Sequence, residues 1–120
     1  MVTVSIKDEY VEVLSALGDL GDLQAAMDLA IQRYTIEQIT GKVTELRQRN
    51  AQYQAKYGMD YLTFNQRVSE DEIFIINLEA KVNNLWEIDF ADWEFCYKGI
   101  GDWTRKLQNI LLETNHLISH

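Results

Sequence analysis

The sequence predicts a mainly α fold with one short N-terminal strand, and three observations carry that expectation. The 120 residues include no proline, where average usage would give about six, so nothing interrupts long helices. Apolar residues recur at helical spacing over most of the chain, while Val2, Val4 and Ile6 alternate with Thr3 and Ser5, the period of a strand with one buried face. Apolar residues make up 47% of the chain, enough to build a core rather than leave the chain disordered.

The strand, residues 2–6, has no second strand near it in sequence. Unpaired backbone groups are costly to bury, so pairing with the same strand of a second copy is expected. Asp8 caps a short helix over 9–17, whose first turn gains from acidic side chains near the helix dipole. Val11, Leu14 and Leu17 share one face of it. Gly18-Asp19-Leu20-Gly21-Asp22 reads as a turn. Leu23, Ala26, Met27, Ala30, Ile31 and Tyr34 then follow the amphipathic helix pattern.

Beyond Tyr34 the spacing tightens. Ile36, Ile39, Val43, Leu46, Asn50, Tyr53 and Tyr57 step by three and four, a heptad seam with Asn50 at a core position. Lys42, Arg47, Arg49 and Lys56 flank it. Such a seam suits an acidic partner helix better than a copy of itself. Gly58 ends the helix as the residue after its C-cap. Asp60 caps a short helix containing Tyr61, Leu62, Phe64 and Val68. Ser69-Glu70-Asp71-Glu72 reads as a capping box opening a helix over 70–86. A last segment, about 89–113, presents Phe90, Trp93, Tyr97, Ile100, Trp103, Leu107, Ile110 and Leu111 on one side, with Gly99 and Gly101 as a break between two helices.

Net charge is −8. Residues 1–57 hold six Lys/Arg against eight Asp/Glu, and residues 58–120 hold five against eleven. That balance speaks against general nucleic-acid binding, which needs a basic face, and leaves room for a local basic patch. A lone cysteine, Cys96, excludes an internal disulfide and fits a reduced, cytoplasmic compartment. No signal peptide is recognised at the N-terminus, and no apolar run approaches a membrane span.

Catalysis has little to rest on. The histidines, His116 and His120, lack metal-ligand spacing, and no glycine-rich phosphate loop is present. Neither a metal nor a cofactor is expected. Glu87, Asp89, Asp92 and Glu94 form a carboxylate cluster, read as a solvated face, with acid–base or cation chemistry as the rival reading. Trp86, Trp93 and Trp103 sit with Phe90, Phe95 and Tyr97 in an acidic segment. Such rings are either core or anchors for a basic protein partner.

Residues 2–35 resemble a ribbon-helix-helix domain: the Val-Thr-Val-Ser-Ile strand, a short helix starting Asp8-Glu9, a glycine turn, and a longer helix reaching Arg33-Tyr34. The continuation, with Tyr57-Gly58-Met59, Phe64 and the Trp-containing acidic segment (Trp86, Asp92, Trp93), resembles small prokaryotic antitoxins of toxin–antitoxin pairs. The resemblance implies a homodimer through a ribbon-helix-helix-like unit over 1–35, and a long helix plus acidic aromatic partner-binding region over 36–120. It implies Thr3, Ser5 and Lys7 as contacts to operator DNA. Tyr57, Met59, Phe64, Trp86, Phe90, Trp93 and Trp103 would hold a basic toxin protein. The competing reading keeps the dimer without DNA binding, a structural interaction module whose C-terminal helices fold back on the basic seam. An enzyme or small-ligand bundle is the third, and rests on the carboxylate cluster alone.

Overall fold

The computed structural model describes residues 5–17 and 23–118. Among them the fold is all-helical: α1 Asp8–Leu17, α2 Leu23–Tyr57, α3 Tyr61–Glu70, α4 Glu72–Lys81 and α5 Trp86–Ile118. Of the expected strand, Val2, Thr3 and Val4 lie outside the described residues, as does the turn over 18–22. Ser5, Ile6 and Lys7 have no regular structure.

Two compact units divide the chain, Met1–Gln38 and Ile39–His120. In the first, α1 opens one residue earlier than expected. Asp8 and Glu9 form its first turn, and the Lys7 carbonyl accepts the Tyr10 and Val11 amides at 3.0 and 3.2 Å. The first part of α2, residues 23–38, completes this unit.

The second unit contains the interior. Ile39, Val43, Leu46 and Tyr57 of the heptad seam are buried along α2. The helix stops at Gly58, whose φ of 73° lies in the left-handed region that residues with a Cβ adopt at a cost. Its amide donates to the Gln54 carbonyl at 2.8 Å. The Asp60 carboxylate then caps α3 by accepting the Thr63 amide at 2.8 Å.

The expected capping box at Ser69 does not form. Ser69 lies within α3 and its hydroxyl donates back to the Asn65 carbonyl at 2.7 Å. Asp71 is the junction instead. Its amide donates to the Arg67 carbonyl at 2.9 Å, closing α3, and its carboxylate accepts the Phe74 amide at 3.0 Å, opening α4. Its backbone amide thus serves one helix end and its carboxylate the other. Ser69, in the last turn of α3, is still part of that helix.

The expected helix over 70–86 is shorter, ending at Lys81. Asn83 shapes the connection, its side-chain oxygen accepting the Leu85 amide at 2.9 Å, as asparagine does in turns. α5 then runs unbroken through Gly99 and Gly101, a correction to the predicted break. The reason at Gly99 is steric: a Cβ there would come within 2.9 Å of Leu46 Cδ1. The glycine allows α5 to lie close to α2, and this packing outweighs its poor helix propensity of about 1 kcal/mol.

Candidate functional site

Tyr57, Tyr61, Phe64, Leu78, Trp86 and Trp93 form the core of the second unit, with Tyr53, Met59, Phe74 and Phe90 packed against it. Trp93 is its hub. It stacks on Tyr53 and Tyr57, both at 5.7 Å between centroids, and lies 5.2 Å from Phe64. Each such ring pair adds about 0.5–1.5 kcal/mol beyond area burial. The indole N–H, which would be costly to bury unpaired, donates to Asn50 Oδ1 at 2.7 Å. The polar residue at a core position of the seam is therefore the acceptor for the buried tryptophan.

Two carboxylates of α5 complete this seam. Asp92 accepts the Tyr53 hydroxyl at 2.6 Å and pairs with Arg49. Asp89 accepts the Tyr57 hydroxyl and the Lys56 ammonium, each at 2.6 Å. The Asn83 amide donates to both Tyr57 and Asp89, at 3.2 and 3.3 Å. Since Tyr57 meets Asp89, Tyr53 meets Asp92 and Leu46 meets Gly99, α2 and α5 run antiparallel. Among the described residues, no buried side-chain nitrogen or oxygen lacks a partner.

The titration behaviour follows from these contacts. The Tyr53 hydrogen bond, opposed by burial and aided by Arg49, holds the Asp92 carboxyl below its usual range. Burial pushes Asp89 up, but Lys56, Tyr57 and Asn83 together bring it below the usual range. Burial and the bond to Asp89 push Tyr57 up to about 12. Tyr53 is raised further, by burial and then by Asp92.

The expectation of a solvated carboxylate cluster is therefore corrected for Asp89 and Asp92, which flank the interior and neutralise α2. Glu87 is exposed, and Glu94 pairs with Lys98 within α5 at 2.8 Å. Asp89 takes its bonds from Lys56, Tyr57 and Asn83 through Oδ2, and Asp92 uses both oxygens, for Arg49 and Tyr53. Among the described residues, no group of three His, Cys, Asp or Glu is placed to hold a metal ion. No helix is long and apolar enough to cross a membrane among those residues.

The residues expected to meet partners divide sharply. Thr3 lies outside the described residues, while Ser5 and Lys7 are exposed. Tyr57, Phe64, Trp86 and Trp93 are buried in the core, so in this conformation they offer a partner almost no surface. Met59 and Phe90 are half-buried against that core. Trp103 is half-buried, with the Lys106 ammonium 4.6 Å from its ring centroid.

A surface that sequence reasoning missed lies on α4. This helix, Glu-Ile-Phe-Ile-Ile-Asn-Leu-Glu-Ala-Lys, is apolar nearly all round, a composition suited to an interior position. Phe74, Ile75 and Leu78 face the core. Ile73 and Ile76 are 71% and 65% exposed. Glu70, Asp71, Glu72 and Glu79 lie near them in sequence, against Lys81 and against Arg67 of α3, whose guanidinium is 5.4 Å from the Phe74 ring centroid. The signal in the sequence was the run Ile73-Phe74-Ile75-Ile76, which no single-faced helix can bury. Comparison with protein-family models, with curated proteins and with solved structures finds no match for this chain.

Proposed function

We propose that the chain is an antitoxin-like binding protein: a homodimer through residues 1–35 whose second unit sequesters a basic toxin protein by occlusion. The supporting observation is the outer face of α4, where two exposed isoleucines lie on a segment whose carboxylates, Glu70, Asp71, Glu72 and Glu79, outnumber its cations, Arg67 and Lys81. Apolar anchors on a charged segment suit a protein partner of opposite charge, the anchors supplying affinity and the charge steering association. The contact is thus proposed at Ile73 and Ile76, with Met59, Phe90 and Trp103 as the remaining expected anchors that keep some exposure.

Operator DNA has weaker support. Residues 1–38 carry two cations, Lys7 and Arg33, against seven carboxylates, and phosphate contacts require the reverse. Replacing Thr3, Ser5 and Lys7 with alanine should lower affinity for the promoter DNA of the chain's own gene if the strand reads it. No change would remove DNA from the proposal and leave the dimer.

A second reading is a self-contained structural interaction module, favoured by the Asp89 and Asp92 pairing with α2. The deciding experiment is growth rescue. A small basic protein encoded beside the chain, toxic when expressed alone, should become harmless on co-expression with the chain. Ile73→Asp with Ile76→Asp should abolish rescue while leaving helix content intact. Full rescue by the double variant would sink the α4 contact. Absence of any such toxic partner would leave the structural module.

A further inference from the structure

On a chain of net charge −8, one cleft is basic. It measures about 700 Å³ and opens beside the seam between α2 and α5, within the range of small-ligand sites. Arg47, Lys98 and Arg105 line it, with Asp102 as its carboxylate. Lys98 and Arg105 also touch Glu94 and Asp102 within their own helix, in exposed pairs that solvent screens strongly. Arg47 has no ion pair among the described residues, unlike Arg49 and Lys56 on the same helix.

The other polar groups in the lining are donors without acceptors. Asn50 uses its oxygen to accept Trp93, which orients the amide nitrogen away from that bond, and among the described residues no acceptor meets that nitrogen. Among the described residues the Tyr97 hydroxyl meets none either, and the ring stacks on Tyr61 at 4.7 Å. Ile100 and Gly101 supply an uncharged wall. A surface that offers these donors and three cations, one of them unpaired among the described residues, is suited to receive acceptor oxygens of an anion.

We infer that this cleft binds a phosphate monoester of about mononucleotide size, its phosphate held by Arg47, Lys98 and Arg105 and its remainder lying toward Tyr97 and Ile100. A phosphate monoester offers three acceptor oxygens and about −1.5 to −2 of charge at neutral pH, enough to take the Arg47, Lys98 and Arg105 donors together and to compete with Glu94 and Asp102 for the latter two, whereas a single carboxylate offers two oxygens and one charge. The guanidinium of Arg47 provides a planar fork for two phosphate oxygens. A long polyanion such as duplex DNA would meet the negative field of the rest of the chain, while a compact anion meets mainly the cleft.

Isothermal titration calorimetry on the full chain at low ionic strength, with adenosine monophosphate, inorganic phosphate and succinate as probes, tests the inference. The mononucleotide should bind at one per chain and weaken with added salt. Inorganic phosphate should compete with it, and succinate should bind at least about tenfold more weakly. Arg47→Ala should lower mononucleotide affinity at least about tenfold, in line with loss of a charged hydrogen-bonding pair. Gly101→Leu offers an independent check: a Cβ there meets nothing within 4 Å, so the new side chain should block the cleft without lowering the thermal midpoint. No binding heat, equal binding of succinate, or unchanged affinity in both variants would overturn the assignment.

Discussion

The two units of this chain differ in where their apolar side chains go. In Ile39–His120 they converge: Leu46, Phe64, Trp93 and Cys96 are fully enclosed, and every buried residue among those described belongs to this unit. In Met1–Gln38, Tyr10, Val13, Leu29, Ile31 and Tyr34 are all exposed. Both units are helical, and both are rich in apolar residues, so secondary structure does not separate them. The separating property is a third and fourth helix to pack against. A unit below about 40 residues with neither disulfide nor metal generally needs association to be stable, whereas the larger one closes an interior by itself.

The largest effect expected from testing this contrast is at Trp93. Trp93→Ala should cost about 3–5 kcal/mol, since it empties the space between Tyr53, Tyr57 and Phe64 and leaves Asn50 without its donor. Urea unfolding followed by circular dichroism reads this directly. A loss below about 1 kcal/mol would mean that the second unit is not organised around this ring.

Next in size is the response to pH. Tyr57 has a folded value of about 12 against an unfolded value of 10.0. Its neutral form is thus favoured by folding, and the stability it contributes is complete below pH 10 and lost as pH rises toward 12. The shift corresponds to roughly 2–3 kcal/mol. At the acid end, Asp89 and Asp92 are depressed. Their contribution is present above the unfolded carboxylate value, about 3.9, and is lost as pH falls through the folded values. Thermal midpoints should therefore drop below about pH 4 and again above pH 10. Tyr57→Phe should reduce the alkaline limb, the remainder coming from Tyr53, and leave the acid limb formed by Asp92 in place.

Glycine substitutions sharpen the contrast further. Gly41→Ala meets nothing within 4 Å and should stabilise the chain by about 0.5–1 kcal/mol through helix propensity. Gly99→Ala has the same propensity gain but forces a shift of the fully buried Leu46. Overpacking of that kind costs about 1–3 kcal/mol, so its net effect should be destabilising, by about 1 kcal/mol. Identical effects at the two positions would show that α2 and α5 do not approach as closely as described.

The smallest effect on stability is expected in the first unit. Tyr34→Glu should change the unfolding of the second unit by less than about 0.5 kcal/mol, as surface substitutions generally do. The same change should weaken self-association, measured by sedimentation velocity. An unchanged dimer, or a large loss of stability, would break the proposed division of labour.

Much of this was legible before any coordinates. Gly58 and Asp60 announced the α2–α3 turn through their side-chain chemistry alone, and the heptad steps from Ile39 to Tyr57 marked the buried side of α2. Asp89 and Asp92 were harder. Their sequence neighbours Glu87 and Glu94 share their charge, and only the three-residue step beside Phe90 and Trp93 distinguishes them as flanking a core. Ser69 and Asp71 are both competent caps, and the outcome depended on how far α3 runs, a tertiary matter. The continuity of α5 through Gly99 was invisible because local propensity opposed it and a contact with Leu46, distant in sequence, overrode it. The buried state of Trp86 and Trp93 turned on whether α3 and α4 cover them, which ring count cannot decide.

Cys96 has a practical consequence. It is the single cysteine in the chain, it has no exposed surface, and burial, followed by the charge of Asp92, pushes its thiol up. The thiolate is the form that attacks an alkylating reagent, so labelling in the folded chain must wait for the helices around it to part. The chain thus carries its own stopwatch: the rate at which iodoacetamide modifies Cys96 times the opening of its interior, and a bound partner or ligand that braces that interior would slow the clock without touching the sulfur.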